Sequence, residues 1–152
     1  MTAHPLPPAR VVSLLAPPLL VMAAIFYLSA QTSTADHSTF EVILRKIAHV
    51  TEYLVLTLCC IRAMRGFGVG GTLRGAVAAG VGLALAYAAT DELHQTFVGG
   101  RHGTPVDVLI DSIGMAIAAL LVLWAGPASG PAPQPRSLAS EGRVGERLER
   151  VR

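Results

Sequence analysis

Twenty consecutive residues, Val11 to Ala30, contain no charged side chain. A helix of about 20 residues, within a range of about 17 to 25, crosses the hydrocarbon of a bilayer. Ile47 to Met64, interrupted by His49, Glu52 and Arg62, is a second block of suitable length; Thr72 to Thr90, with only Arg74, is a third. Val106 to Ala125 is the fourth and carries Asp107 and Asp111 in its first two turns. The charged fraction is 14%, whereas a soluble domain carries about 25%. That deficit excludes a disordered chain, a coiled coil and an ordinary nucleic-acid-binding domain. The expected fold is therefore all-α: a polytopic membrane protein with four transmembrane helices over about 11–30, 47–64, 72–90 and 106–125, forming a domain over 1–125.

A secretory leader is the competing reading of the first block. Its apolar run exceeds the usual length of about 7 to 15 residues, and Tyr27-Leu28-Ser29-Ala30 is a poor cleavage site. Pro17 and Pro18 should bend this helix, which membrane helices tolerate when neighbours re-satisfy the freed carbonyls. Lys and Arg in the connections set orientation. Arg10, Arg62, Arg65, Arg74, Arg136, Arg143, Arg147, Arg150 and Arg152 fall on one side, leaving Arg45, Lys46 and Arg101 on the other. The second side also collects Asp36, Glu41, Glu52, Asp91, Glu92, Asp107 and Asp111. Both termini are thus expected in the cytoplasm and the acid-rich connections outside.

From 126 to 152 the composition turns to Gly, Pro, Ala and Arg, which cannot bury a core and reads as a disordered basic cytoplasmic tail. Val144, Leu148 and Val151 could form a short surface helix, but a solvated tail is the preferred reading. Cys59 and Cys60 are adjacent in an apolar helix and read as core fillers. The third helix carries Gly75, Ala76, Ala78, Ala79, Gly80, Gly82, Ala84 and Ala86, whose four-residue spacings let backbones approach closely. That pattern predicts a place at the centre of the bundle, with a dimer interface as the alternative. Gly114 and Ala118 repeat it on the fourth helix.

Ionisable groups gather at the ends of helices two, three and four. Lys46, His49 and Tyr53 share one helical face, with Glu52 beside them; Asp91, His94 and Gln95 repeat that spacing, with Glu92 adjacent. Arg101 follows Gly99-Gly100, and Asp107 and Asp111 lie one turn apart. Each has a plainer reading. Thr104-Pro105 with Asp107 forms a helix start, Arg45 and Lys46 can anchor helix two at the interface, and a lone histidine is usually a hydrogen-bonded core residue. Asp111 is different, because an unpaired carboxylate one turn inside a membrane costs roughly 2.5 to 3.5 kcal/mol. It needs a partner, and Arg101 or Lys46 is the expected one.

The segments Lys46-Ile-Ala-His49-Val-Thr-Glu52-Tyr53, Asp91-Glu92-Leu-His94-Gln95 and Gly100-Arg101-His-Gly-Thr104-Pro-Val-Asp107-Val-Leu-Ile-Asp111 resemble the VanZ-like family of small bacterial membrane proteins. Tyr27-Leu28-Ser29-Ala-Gln31-Thr-Ser33 is similar to that family as well, so the resemblance spans roughly Ile25 to Trp124. Val50 stands where an aromatic is common. The resemblance implies a multi-pass protein of the bacterial cytoplasmic membrane that modulates susceptibility to teicoplanin-type glycopeptides.

The cluster supports three functional readings. In the preferred one an outward-facing polar pocket binds an envelope ligand: a cell-wall precursor, a lipid-linked molecule or a glycopeptide. There His49, Glu52, Asp91, Glu92 and His94 are the candidate proton-transfer groups, and Lys46, Tyr53, Gln95, Arg101, Asp107 and Asp111 the ligand contacts. No metal is assigned in this reading. The second is a metal-dependent membrane hydrolase or transferase acting on a lipid-linked substrate, since His49 with Glu52 and Asp91 with His94 stand at i, i+3. The third is a lock in which the charges only hold helices together.

Overall fold

A computed structural model describes residues 6–31, 39–99 and 104–126. They form four helices and no strand: α1 Pro8–Ser29, α2 Thr39–Gly66, α3 Leu73–Gln95 and α4 Pro105–Ala125. All four are long and apolar enough to cross a membrane. Arg101 and the segment 127–152 lie outside the described residues, and with them the tail and its surface helix.

Helix ends follow local chemistry. Pro7 and Pro8 open α1 with a fixed φ and no N–H to leave orphaned. Thr72 caps α3, its hydroxyl accepting from the Gly75 amide at 3.0 Å. Thr104 caps α4 in the same way, accepting from the Asp107 amide at 3.3 Å, with Pro105 in the first turn. Between α2 and α3 the chain reverses in a short turn where Gly68, Gly70 and Gly71 hold φ of 72°, 83° and 65°. Side chains rarely adopt those values, so glycine is what permits so tight a reversal.

Two helices outrun the apolar blocks that announce them. α2 begins at Thr39 rather than near 47, and its 28 residues extend about 42 Å. It therefore projects beyond a hydrocarbon layer of about 30 Å. α3 continues past Thr90 to Gln95, which keeps Asp91, Glu92, His94 and Gln95 on a helix. Hydropathy marks where lipid ends; backbone hydrogen bonding can continue beyond it.

The hub of the bundle is α2. It packs extensively on α4, α3 and α1, whereas α1 touches α3 only lightly and does not pack on α4. This corrects the central place expected for α3. Only one stripe of its small residues faces inward: Ala76, Gly80, Ala84 and Ala88 are buried, while Ala78, Gly82 and Ala86 are exposed. Close approach occurs at two points. A Cβ on Gly80 would meet the Ile61 backbone nitrogen at 2.7 Å, and one on Gly114 would collide with the Val50 carbonyl oxygen. Each glycine lets its helix lie directly against α2.

The core is made by Ile25, Tyr53, Leu56, Cys60, Ala84, Ala88 and Met115. Cys60 is buried there and Cys59 half-buried, both as free thiols. Outward faces remain apolar, with Leu20, Leu120 and Trp124 exposed. Such a surface is stable only in a medium that does not hydrogen-bond. The fold is that of a multi-pass membrane protein.

Candidate functional site

The antiparallel order of the helices brings the C-terminal ends of α1 and α3 beside the N-terminal ends of α2 and α4. This end, called the acid end below, carries nearly all the polar side chains singled out in the sequence. It divides into two groups of contacts with Tyr53 between them.

On the α1 side, Asp91 is buried and fully engaged. The Ser29 hydroxyl donates to one carboxylate oxygen at 2.7 Å, and the Gln95 amide donates to the other at 2.9 Å. Asp91 thus ties the end of α1 to α3 across 62 residues of sequence. His94 packs its ring on Phe26 with centroids 4.4 Å apart, and its Nδ1 is buried without a partner. Nearby the Tyr87 hydroxyl donates to the Met22 carbonyl at 2.6 Å, a second stitch between α1 and α3.

On the α4 side, His49 Nδ1 and Asp111 Oδ1 are 3.1 Å apart. The structure gives Asp111 a partner, His49, other than the expected Lys46, while the other expected partner, Arg101, lies outside the described residues. Lys46 instead faces Asp107, with 3.6 Å between Nζ and Oδ1, and both side chains are substantially exposed. Asp107 also accepts from the Thr104 hydroxyl at 2.7 Å, so its capping role and its partnership with Lys46 coexist. Asp107 is thus the charge partner of Lys46 among the described residues. Glu92 reaches the start of α4, accepting from the Thr104 amide at 2.8 Å. Glu52, half-buried, lies within electrostatic reach of His49.

Glu92 and Asp111 differ from Asp91 in one respect that matters. Each has one oxygen hydrogen-bonded and the other, Glu92 Oε1 and Asp111 Oδ2, buried with no hydrogen-bond partner among the described residues. The Tyr53 hydroxyl is in the same condition. Exposure is 0% for Tyr53, 1% for Asp111 and 6% for Glu92, so water does not relieve them from the surface. A buried polar atom without a partner costs about 1–3 kcal/mol. With His94 Nδ1 that makes four such atoms at one end of a small bundle, and buried polar groups in this condition call for an explanation beyond packing.

The His49–Asp111 pair adds chemistry to this end. When Nδ1 donates to the carboxylate, the imidazole keeps its lone pair on Nε2, the arrangement in which a histidine accepts or delivers a proton. The i, i+3 pairs do not converge on a common point, since His49 turns to Asp111 while Asp91 is engaged by Ser29 and Gln95. Among the described residues no three His, Cys, Asp or Glu side chains assemble as a metal donor set. A cleft of about 230 Å³ opens at the opposite end, beside Arg65, Gly68, Val69, Thr72 and Leu73, none of which the sequence had marked as functional.

Sequence reasoning overlooked Ser29, the Thr104 amide and Phe26 as parts of this end. Ser29 had a usable signal, a hydroxyl buried at the end of a charge-free span. The other two act through backbone or ring and leave none.

Compared with known proteins, residues 10–126 match the family model described as VanZ/LLP1. No curated protein and no solved structure matches the chain.

Proposed function

Because the chain belongs to the VanZ/LLP1 family, we propose that it is a bacterial cytoplasmic-membrane protein whose acid end faces outward and binds an envelope ligand. In this reading it lowers susceptibility to teicoplanin-type glycopeptides. The observation that supports it is the set of buried, half-satisfied polar groups contributed by α2, α3 and α4. A lock built only from charges would close every bond, as Asp91 does with Ser29 and Gln95. Glu92, Asp111 and Tyr53 do not close theirs.

Roles follow from the contacts. His49, oriented by Asp111, is the proton-transfer candidate. Glu92, Asp111 and Tyr53 are the ligand contacts. Asp91, Gln95, Asp107 and Lys46 hold the helices in register around them. Expression in a teicoplanin-sensitive strain tests the reading, with wild type compared with His49→Ala, His94→Ala and Asp111→Asn at matched membrane abundance. Wild type should raise the inhibitory concentration, and His49→Ala and Asp111→Asn should abolish the rise. Full protection by both variants, accumulated normally, would remove these residues from the site.

A further inference from the structure

We propose that the cleft at the α2–α3 turn binds the phosphate of an anionic phospholipid, with the Arg65 guanidinium as its charged contact and Val69 and Leu73 against the apolar part of the lipid. The cleft lies at the end of the bundle opposite the acid end and shares no residue with it.

Three observations lead to it. First, one cavity of about 230 Å³ collects the groups concerned: Arg65 from the last turn of α2, Val69 from the turn itself, and Thr72 and Leu73 from the start of α3. Pockets that enclose a drug-sized ligand span about 300–1,000 Å³, so this one takes a headgroup and leaves the rest of the molecule outside. Second, its polar side chains donate. Arg65 carries five N–H donors and no acceptor, and a guanidinium stays charged in proteins. It is exposed, and its side chain forms no ion pair or hydrogen bond among the described residues. The Thr72 hydroxyl accepts from the Gly75 amide, which leaves its own hydrogen to donate. The planar guanidinium meets a phosphate through two parallel hydrogen bonds, and no carboxylate lines the cleft to compete for it.

Third, the sign of the charge at this end rests on no titrating group and on no single segment. Arg10, Arg62, Arg65 and Arg74 belong to it. Along α2 the described acid nearest to Arg65 is Glu52, thirteen residues away, which is about 20 Å of helix. That is twice the Debye length of about 10 Å at 0.1 M salt. Residues 127 to 152 follow from the same end and contain five arginines and three glutamates, so counting them leaves the end positive.

Depth selects the source of the phosphate. α2 and α3 are long and apolar enough to cross a membrane, and the cleft forms where one ends and the other begins. Val69 lines it while 43% exposed, and half-buried Leu73 continues the apolar wall. A free phosphate gains nothing from that wall. A lipid presents phosphate and hydrocarbon together at this depth, and anionic lipids gather at basic residues flanking membrane helices.

The test uses the full-length protein in nanodiscs, with the thermal unfolding midpoint followed as phosphatidylglycerol replaces phosphatidylcholine at constant ionic strength. Both leaflets carry the same mixture, so orientation does not enter. Phosphatidylglycerol should raise the midpoint. Arg65→Gln should raise about fivefold the phosphatidylglycerol fraction that gives half the shift, the share of one arginine at an anionic surface, and Arg65→Lys should fall between it and wild type. Arg143→Gln, an equal loss of charge outside the cleft, should leave that fraction unchanged. Inorganic phosphate added to discs of phosphatidylcholine alone should not move the midpoint.

Four results would overturn the proposal. Phosphatidylglycerol without effect removes the ligand. Equal responses of Arg65→Gln and Arg143→Gln make the shift a property of overall charge. A shift produced as well by inorganic phosphate makes the ligand a soluble anion. A midpoint lowered by Arg65→Gln as much in phosphatidylcholine as in phosphatidylglycerol means that the chain's own glutamates fill the cleft.

Discussion

Asp111 is held on one oxygen by His49 and bare on the other, and it is 1% exposed. The two members of that pair are not equivalent under mutation. His49→Ala leaves a buried carboxylate with no partner, which costs about 1–3 kcal/mol. Asp111→Asn keeps the shape, removes the charge and can still bond the imidazole. The expected order of unfolding midpoints in detergent is therefore wild type, then Asp111→Asn, then His49→Ala, with the double variant close to Asp111→Asn. A His49→Ala midpoint equal to wild type would show that the pair carries no coupling. The residue types at this end were legible in the sequence, because charge inside an apolar span is conspicuous. The pairing was not. Lys46 and His49 are one turn apart on α2, and which of them meets Asp111 depends on the rotation of α4 about its axis. That rotation is fixed one turn from Asp111, where Gly114 lies against the Val50 carbonyl.

The elements explain why such rotations are defined at all. Gly114 is where α4 comes closest to α2, one turn below Asp111. Adding a methyl group there forces the backbones apart at the level of the site. Overpacking of this kind costs about 1–3 kcal/mol, and Gly82 provides the internal control because a Cβ there meets nothing within 4 Å. Gly114→Ala should lower the unfolding midpoint and weaken the His49–Asp111 coupling, whereas Gly82→Ala should be neutral or raise the midpoint through better helix propensity. Equal effects of the two substitutions would defeat the close-packing account.

α1 shows the same logic for a broken helix. Pro17 has no N–H, so the Ser13 carbonyl loses its helical partner. The Arg62 guanidinium of α2 donates to that carbonyl at 2.8 Å. Prolines at this depth predict a neighbour that satisfies the freed carbonyl, but nothing in the position of Arg62, a basic residue at a connection, singles it out as that neighbour. Arg62→Ala should cost about 0.5–1.5 kcal/mol, and Pro17→Ala should erase most of that loss by restoring the amide donor. An undiminished cost in the double variant would mean that Arg62 acts elsewhere.

At the scale of the whole molecule the bundle is polarised. An even number of spans returns the chain to the side where it began, so Pro8 and Ala125 share one end with the α2–α3 turn. Four described arginines, Arg10, Arg62, Arg65 and Arg74, belong to that end, and Arg45 and Lys46 to the acid end. Basic residues in short connections are retained in the cytoplasm, which predicts that the acid end faces outward. The prediction is read by labelling with a membrane-impermeant maleimide after Cys59 and Cys60 are replaced by serine. Thr39→Cys, at the exposed start of α2, should label in intact cells; Val69→Cys, in the exposed α2–α3 turn, should label only after the membrane is opened. The reverse pattern would place the His49–Asp111 pair in the cytoplasm. A direct role in meeting an extracellular glycopeptide would not survive that result.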